Sequence, residues 1–238
     1  MDEKIEKFKQ LVNESNNIVF FGGAGVSTES GIPDFRSKDG LYNQQYKYPP
    51  EEILSHSFFM NNTEEFYKFY KEKMNSLKYE PNVTHMKLAE LEREGKLKAV
   101  ITQNIDGLHQ KAGSKIVYEL HGSVLRNYCM DCDEFYDAEY VFNSDGVPKC
   151  SCGGIVKPDV VLYQEGLDDA TVSGAIEAIR NADLLIVAGT SLTVYPASGL
   201  INYFKGKHLV LINKDATQYD RVANLVINEG LGKVFGEI

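Results

Sequence analysis

A glycine-rich segment that directly follows an apolar run constrains this chain most. Residues 22–37 read GGAGVSTESGIPDFRS, and residues 17–21 before them are β-branched or aromatic apart from the leading Asn. Such a run predicts a buried strand that ends in the glycines. In dinucleotide-binding folds the turn after the first strand has this character, because glycines let backbone N–H groups approach a phosphate. A tight turn without a ligand is the open alternative, since a lone Gly-x-Gly is common.

The segment departs from the dinucleotide fingerprint of dehydrogenases in two ways. Thr28 stands where that fingerprint has its third glycine. No acidic residue closes a second strand about 20 positions further on, where the fingerprint expects one. The sequence therefore disfavours an ordinary dehydrogenase.

Composition and charge exclude several other classes. The 238 residues can bury a full core, as one large domain or as one with a small insert. No apolar run approaches the roughly 18 residues that cross a bilayer. The charged N-terminus, with Ile5, Phe8, Leu11 and Val12 on one helical face, predicts a packed helix in a cytoplasmic protein and no signal peptide. The net charge of -9 argues against nucleic-acid binding.

Short apolar runs alternate with helical patterns and predict an α/β fold with a parallel sheet. The runs are residues 18–21, 99–102, 184–188 and 209–213, and helices over residues 83–94 and from Pro196 onward should cover the sheet. The loops after these strands should face one crevice. Within a single domain of residues 1–238, we expect a helical lobe at residues 38–82 and a small inserted module at residues 123–158.

All four cysteines of the chain lie in that inserted module. Cys129 and Cys132 form one close pair, and Cys150 and Cys152 form a second pair after seventeen intervening residues. This arrangement predicts a structural zinc site, because tetrahedral zinc takes four thiolates and leaves no open position for water. A redox pair at Cys129 and Cys132, or unrelated buried thiols, are the alternatives.

Polar side chains follow several of the predicted strands. Gln103, Asn104 and Asp106 follow one strand, and His121 follows another strand-like run. Asn104 and Asp106 could simply cap a helix, and a lone histidine is more often structural than catalytic. An imidazole beside an acid-amide cluster is nevertheless the obvious general base if this crevice does chemistry. Further hydroxyl and amide groups end the later strands: Thr190, Ser191 and Asn213, with Gly189 before them.

Taken in order, these residues resemble the sirtuins, the NAD-dependent protein deacylases, over nearly the whole chain. The matching blocks are residues 23–36, residues 102–106, His121 with Gly122, the paired cysteines, Pro-Asp-Val-Val at residues 158–161, and Gly-Thr-Ser at residues 189–191. The resemblance implies a Rossmann-like domain with a zinc-binding insert and a helical lobe. NAD, consumed as a co-substrate, and an acetylated protein or peptide would enter the cleft between them. We expect a monomer without a membrane or nucleic-acid partner.

The resemblance also implies a role for each matching residue. The acyl carbonyl oxygen would attack C1′ of the nicotinamide ribose and displace nicotinamide, and His121 would then deprotonate a ribose hydroxyl. Asp106 and the Ile105 backbone would hold the nicotinamide carboxamide, Asn104 and Ser27 would order ribose and water, and Phe35 would shield C1′. The ribose and phosphate groups would be contacted by Ala24, Thr28, Arg36 and Gln103. The adenosine end of NAD would be bound by Gly189, Thr190, Ser191, Asn213, Gly230 and Leu231. The peptide would be bound by Val160, Val161 and Tyr163.

Two departures from the family pattern bear on the substrate. Tyr163 and Gln164 replace the Phe-Gly of the usual Val-Val-x-Phe-Gly-Glu. Sirtuins that prefer succinyl or malonyl groups have a Tyr-x-x-Arg motif. This chain has Tyr67 at the Tyr position but Tyr70 at the Arg position. No cation is therefore evident to pair with an acidic acyl chain. We therefore expect an acetyl or other short neutral acyl group. Two functional alternatives stay open: a protein mono-ADP-ribosyltransferase, and a non-catalytic NAD, zinc or nucleic-acid binding module.

Overall fold

The computed structural model describes residues 3–34, Gly40 and residues 47–238. The strands in chain order are β1 (Ile18–Gly22), β2 (Leu97–Thr102), β3 (Val117–Glu119), β4 (Gly122–Cys129), β5 (Phe135–Asp137), β6 (Val156–Val160), β7 (Leu184–Ala188), β8 (His208–Ile212) and β9 (Leu225–Ile227). The α-helices are α1 (Glu3–Glu14), α2 (Pro50–Ile53), α3 (His56–Asn61), α4 (Thr63–Lys73), α5 (Val83–Arg93), α6 (Leu108–Ala112), α7 (Ala138–Asn143), α8 (Asp169–Asn181) and α9 (Leu231–Phe235). No helix among these described residues combines the length and apolarity of a bilayer span.

Six strands form the predicted parallel sheet. Their order is β3-β2-β1-β7-β8-β9, and each neighbouring pair is parallel. This order is the one in which two mononucleotide-binding halves meet, with the reversal between β1 and β7. Ligands bind outside the carboxyl ends of the strands at such a reversal. The topology therefore places the crevice beside the glycine-rich turn that follows β1.

Helices cover both faces of this sheet, as the alternation of apolar runs predicts. On one face, Phe20 of β1 packs in a cluster with Phe8 of α1 and Phe235 of α9. On the other, Phe21 packs in a cluster with Ile179 of α8. The predicted N-terminal helix is confirmed, since α1 buries Ile5, Phe8, Leu11 and Val12. The segment after Pro196 differs from its prediction, because Ala197–Tyr203 is a 3-10 helix. Its Ser, Gly and Asn residues are weak α-helix formers.

The helical lobe and the cysteine module form a second body with a core of their own. Strands β5, β4 and β6 make a small antiparallel sheet in that order. Phe59, Phe66 and Tyr70 of the lobe belong to the same apolar cluster as Val141 and Val156 of the module. The Tyr67 hydroxyl also donates to the Val156 carbonyl oxygen. The module is thus too small to bury its own core, and the described part of the lobe, residues 47–82, completes that core.

A pair of buried histidines makes the fold sensitive to acid. The rings of His85 on α5 and His109 on α6 lie 4.7 Å apart between centroids. Burial lowers the pKa of His85 to about 4, and burial together with His85 holds the pKa of His109 well below its ordinary value. Unfolding releases both rings to an ordinary pKa near 6.5, so the unfolded chain binds more protons below that pH. We expect the free energy of unfolding to fall from about pH 6.5 toward pH 4, by up to roughly 1.4 kcal/mol per pH unit for each histidine.

Denaturant titrations of the wild type and of His85→Gln at pH 7 and pH 5 measure this dependence. The Gln variant removes one titrating ring, so its stability should fall less between the two pH values. An equal fall in both proteins would contradict the assignment of this acid sensitivity to the histidine pair.

Candidate active site at the ends of β1, β2 and β7

The glycine-rich turn packs directly against the loop that follows β7. The Gly23 N–H donates to the Ala188 carbonyl oxygen at 3.3 Å, and the Gly25 N–H donates to the Gly189 carbonyl oxygen at 2.8 Å. A Cβ on Gly25 would lie 2.7 Å from the Gly189 Cα. The glycines are therefore required for close contact between two loops. Both N–H groups already donate hydrogen bonds to backbone carbonyls, so they are not free to bind a phosphate. This corrects the expectation that they do so.

A short 3-10 turn, Ala24–Val26, is followed by a second one, Thr28–Ser30, and Ser27 lies between them. The Ser27 hydroxyl donates to the Asp106 Oδ2 at 2.6 Å, and the Asn104 Nδ2 donates to the Ser27 Oγ at 3.1 Å. The other Asp106 oxygen accepts the Leu108 N–H at 2.9 Å. These bonds join the end of β1 to the loop after β2. Burial raises the pKa of the Asp106 carboxyl, although the bonds from Ser27 and Leu108 act in the opposite direction.

His121 lies between β3 and β4, facing the same loop. Its Nδ1 is 3.0 Å from the Gln103 carbonyl oxygen. A carbonyl can only accept a hydrogen bond, so Nδ1 carries the proton and Nε2 of the neutral ring carries a lone pair. Burial lowers the pKa of His121 below its ordinary 6.5, which keeps the ring neutral at pH 7. Its Nε2 is thus available to accept a proton.

Polar groups at the ends of β7 and β8 extend the crevice away from His121. The Gln103 Nε2 donates to the Thr190 Oγ1 at 3.0 Å, and the Thr190 N–H donates to the Asn213 Oδ1 at 2.9 Å. The Asn213 Nδ2 is buried without a hydrogen-bond partner among the described residues. A buried amide donor of this kind is costly unless a ligand or water accepts from it. This part of the crevice is therefore suited to a polar ligand.

These residues line one cavity of about 780 Å³ between the parallel sheet and the helical lobe. The predicted site residues that line it are Ala24, Ser27, Thr28, Gln103, Asn104, Ile105, Asp106, His121, Val160, Val161, Tyr163, Gly189, Thr190, Ser191, Asn213 and Leu231. Gly230 does not line the cavity, although its neighbours Glu229 and Leu231 do. Phe35 and Arg36 lie outside the described residues.

Sequence reasoning missed other residues that line the cavity. Lys214 and Asp215 come immediately after Asn213 at the end of β8, so the argument from strand ends that predicts Asn213 applies to them as well. Ser76 comes from the lobe and donates its hydroxyl to the Asp106 carbonyl oxygen at 2.9 Å. No sequence pattern connects Ser76 to a loop thirty residues away, because only the tertiary packing of the lobe brings them together.

The segment after β6 forms the border of the cavity toward the lobe. The Val161 N–H donates to the His121 carbonyl oxygen at 3.0 Å. The Tyr163 N–H donates to the Leu54 carbonyl oxygen, and the Tyr163 carbonyl accepts the His56 N–H, both at 2.9 Å. The Tyr163 backbone is thus already paired with the lobe. Because β6 ends at Val160, Tyr163 is not part of that strand. A peptide contact at Val160, Val161 and Tyr163 stays a prediction.

The four cysteines meet at one point of the small module, as predicted. The Cys129 and Cys152 sulfurs are 3.5 Å apart, as are those of Cys132 and Cys150, and all four sulfurs lie within 4.8 Å of one another. Four thiolates bound to zinc at about 2.3 Å would lie about 3.8 Å apart, so the cluster fits a tetrahedral ion. A Cβ on Gly154 would lie 2.7 Å from the Cys129 sulfur, which explains the glycine after the second pair.

Comparisons with known proteins agree with this geometry. Residues 23–196 match the Sir2 family model. A protein of Clostridium perfringens (strain 13 / Type A) named NAD-dependent protein deacetylase is 63% identical over 242 residues, which cover 100% of this chain and 99% of that protein. Two solved structures cover 98% of this chain and 96% of their own, with a TM-score of 0.87 each. They are a Sir2 complex with p53 peptide and NAD+, at 41% identity, and Sir2 bound to acetylated peptide, at 40% identity.

Proposed function

Because this chain belongs to the Sir2 family and is an NAD-dependent protein deacetylase, we propose that His121 is its general base and that the crevice beside it binds NAD against an acetyl-lysine peptide. The observation that carries this assignment is the contact between His121 Nδ1 and the Gln103 carbonyl. That contact fixes the ring orientation and leaves Nε2 as the proton acceptor. A positioned imidazole of this kind contributes about 100-fold to 10,000-fold to a reaction that needs a proton removed.

Asp106, Ser27 and Asn104 would hold the nicotinamide end of the cofactor. Both Asp106 oxygens accept hydrogen bonds within the protein, and its carbonyl accepts one from Ser76. The loop is therefore fixed before a ligand arrives, so that binding energy is not used to order it. A carboxylate oxygen has further lone pairs and can accept from the NH₂ of a carboxamide. When bound, NAD supplies the bond to nicotinamide whose cleavage provides ADP-ribose as the acyl acceptor.

The four thiolates would hold one structural zinc ion per chain. Each available position of a tetrahedral ion would be filled by Cys129, Cys132, Cys150 and Cys152. The ion would then have no coordination site for substrate. Its contribution would be to the folding of the module that positions β4 and β6 beside His121.

We propose an acetyl or other short neutral acyl group as the preferred substrate. Tyr70, the residue at the position of the arginine in succinyl-preferring relatives, is buried and stacks on Phe66 and Phe142. Lys73 also lines the cavity, but its ammonium lies 2.8 Å from the Glu72 carboxylate, which offsets its charge. Among the described residues, a buried acyl carboxylate would thus find no dedicated cation, and an unpaired buried charge is costly.

An acyl-peptide panel with NAD, followed by mass spectrometry of the products, tests this function. We expect deacylated peptide, nicotinamide and acetyl-ADP-ribose, with acetyl-lysine peptide turned over at least about 10-fold faster than succinyl-lysine peptide, equivalent to roughly 1.4 kcal/mol. Comparable rates on the two peptides would refute the acyl preference. ADP-ribose attached to protein without deacetylation would instead favour a mono-ADP-ribosyltransferase.

Gln164 offers a test of how the border segment is held. Its φ of 78° lies in the left-handed region, where the sirtuin pattern has glycine. Its Oε1 accepts the Ser57 N–H in the first turn of α3 at 2.9 Å, which compensates part of the strain. We expect Gln164→Ala to destabilise the protein by about 1 kcal/mol relative to Gln164→Gly, because both lose the bond but only alanine keeps the strain. Urea unfolding of the two variants measures the difference, and equal stability would contradict it.

A further inference from the structure

Asn82 connects helix α5 to the loop after β1, which consists of the two 3-10 turns Ala24–Val26 and Thr28–Ser30 with Ser27 between them. It precedes α5, and its Oδ1 accepts the Thr84 N–H at 3.0 Å as a helix N-cap. Its Nδ2 donates to the Val26 carbonyl oxygen at 2.8 Å and to the Ser30 Oγ at 3.0 Å. The two ends of one carboxamide therefore serve two different elements. Only the donor end reaches the loop that carries Ser27 and Thr28.

The loop is held on its opposite side by the Gly25 N–H on the Gly189 carbonyl. Val26 and Ser30 flank the residues in between, so the Asn82 amide closes the second side of the loop. Ser27 is almost fully buried at 1% exposure and spans the distance from this loop to Asp106. A shift of the loop would therefore move the Ser27 hydroxyl relative to the Asp106 carboxylate.

His85 holds the backbone of Asn82 in turn. The Asn82 N–H donates to the His85 Nδ1 at 3.2 Å, which completes a reciprocal capping box. Because burial lowers the pKa of His85 to about 4, Nδ1 keeps the lone pair that this bond needs at pH 7. His85 itself packs on His109, three residues after Asp106. The start of α5 thus contacts both Asn82 and helix α6, which follows the loop that carries Asp106.

We propose that Asn82 is a positioning residue for NAD binding. Its amide donor fixes the loop so that Ser27 and Thr28 meet the cofactor in a ready conformation, and its acceptor end independently caps α5. The inference rests on the proposed function, in which this loop contacts NAD. Loss of the donor alone should raise the KM for NAD without changing the KM for the acetylated peptide.

Asn82→Asp separates the two functions of the side chain. Aspartate caps a helix as well as asparagine does, so α5 should remain stable. It has no donor, and it would place a carboxylate beside the Val26 carbonyl oxygen. We expect the KM for NAD to rise about 10-fold, equivalent to roughly 1.4 kcal/mol, while kcat and the KM for acetyl-lysine peptide stay within about twofold. A KM for NAD within twofold of the wild type would overturn the proposal.

Two further variants keep the test decisive. If Asn82→Asp unfolds, Asn82→Ser repeats the experiment without a charge, because serine also caps helices but does not reach the Val26 carbonyl. A raised KM for NAD in that variant supports the proposal, and an unchanged one overturns it. Asp137→Ala removes the N-cap of α7 instead, at the Tyr140 N–H, and should lower stability without altering the KM for NAD.

Ser27→Ala distinguishes this inference from the proposed function itself. Ser27 is placed in the crevice directly, so its loss should raise the KM for NAD if the loop contacts the cofactor. If Ser27→Ala leaves NAD binding unchanged, the proposed contact of this loop with NAD fails. If Ser27→Ala weakens NAD binding and Asn82→Asp does not, only the positioning role of Asn82 fails.

Discussion

Replacement of His121 by alanine is expected to lower kcat/KM for deacetylation by about 100-fold to 10,000-fold, the range of general acid-base catalysis. The His121 Nδ1 is bound to the Gln103 carbonyl, so alanine removes a ring whose Nε2 is the proton acceptor. Ser27, Asn104 and Asp106 remain in place, and NAD binding measured by calorimetry should change little. Steady-state assays with an acetyl-lysine peptide measure the loss.

The matched control is His208→Ala, at the opposite end of the parallel sheet. His208 begins β8, whereas the crevice lies at the carboxyl ends of the strands. This variant should keep nearly full activity. A His121→Ala enzyme that retains NAD-dependent deacetylation would contradict the mechanism, whatever its stability.

The pH dependence of the wild type gives a second measurement on the same residue. Only the neutral ring accepts a proton, and burial lowers the pKa of His121 below 6.5. Activity should therefore rise with pH on the acidic side, with the midpoint of the rise below pH 6.5. An activity limited by a group that titrates well above neutral pH would point to a different base.

Removal of zinc is expected to destabilise far more than the cysteine module. Structural zinc sites contribute about 10 to 16 kcal/mol of apparent binding free energy at pH 7. The module shares its apolar cluster with the helical lobe, and Lys71 of α4 donates to the Ser144 carbonyl oxygen at 2.6 Å. We expect Cys129→Ala to lose the metal and to lower Tm by at least about 10 °C, given about 2 to 4 °C per kcal/mol for chains of this size.

Metal analysis and thermal unfolding, with and without a chelator, measure this effect. Hydrogen exchange should show lost protection in α3 and α4 as well as in β4 to β6, because the two share a core. Ser151→Ala, which changes the residue between Cys150 and Cys152, is the control and should retain one zinc per chain. Full stability and unchanged exchange after chelation would contradict the structural role of the site.

The parallel sheet and most of its crevice could be predicted because they depend on local patterns. Strands such as β1 and β7 are continuous apolar runs, and a parallel sheet gathers whatever follows them at one edge. Gln103, His121 and Asn213 are predictable for this reason, because each follows a strand of the parallel sheet. The spacing of the two cysteine pairs is likewise sufficient to predict that the four sulfurs meet, without reference to the rest of the fold.

The remaining features depend on contacts between distant segments. Asn82 precedes a helix and has the appearance of an ordinary N-cap; only the fold brings its amide to Val26 and Ser30. The Gly23 and Gly25 N–H groups are donated to the β7 end, which the sequence of one turn does not reveal. The paired backbone of Tyr163 is another case, since its partners Leu54 and His56 lie more than a hundred residues earlier.

The common core of the lobe and the cysteine module limits how this enzyme can be re-engineered. A chimaera that imported the lobe of a relative to change acyl preference would also replace Phe59, Phe66 and Tyr70, which fill the interior of the module around Val141 and Val156. The cysteine module would then pack against side chains of a different shape from those that fill its core in this chain. Residues 47–82 and 123–158 must therefore be exchanged as one unit, although the chain separates them with two strands of the other body.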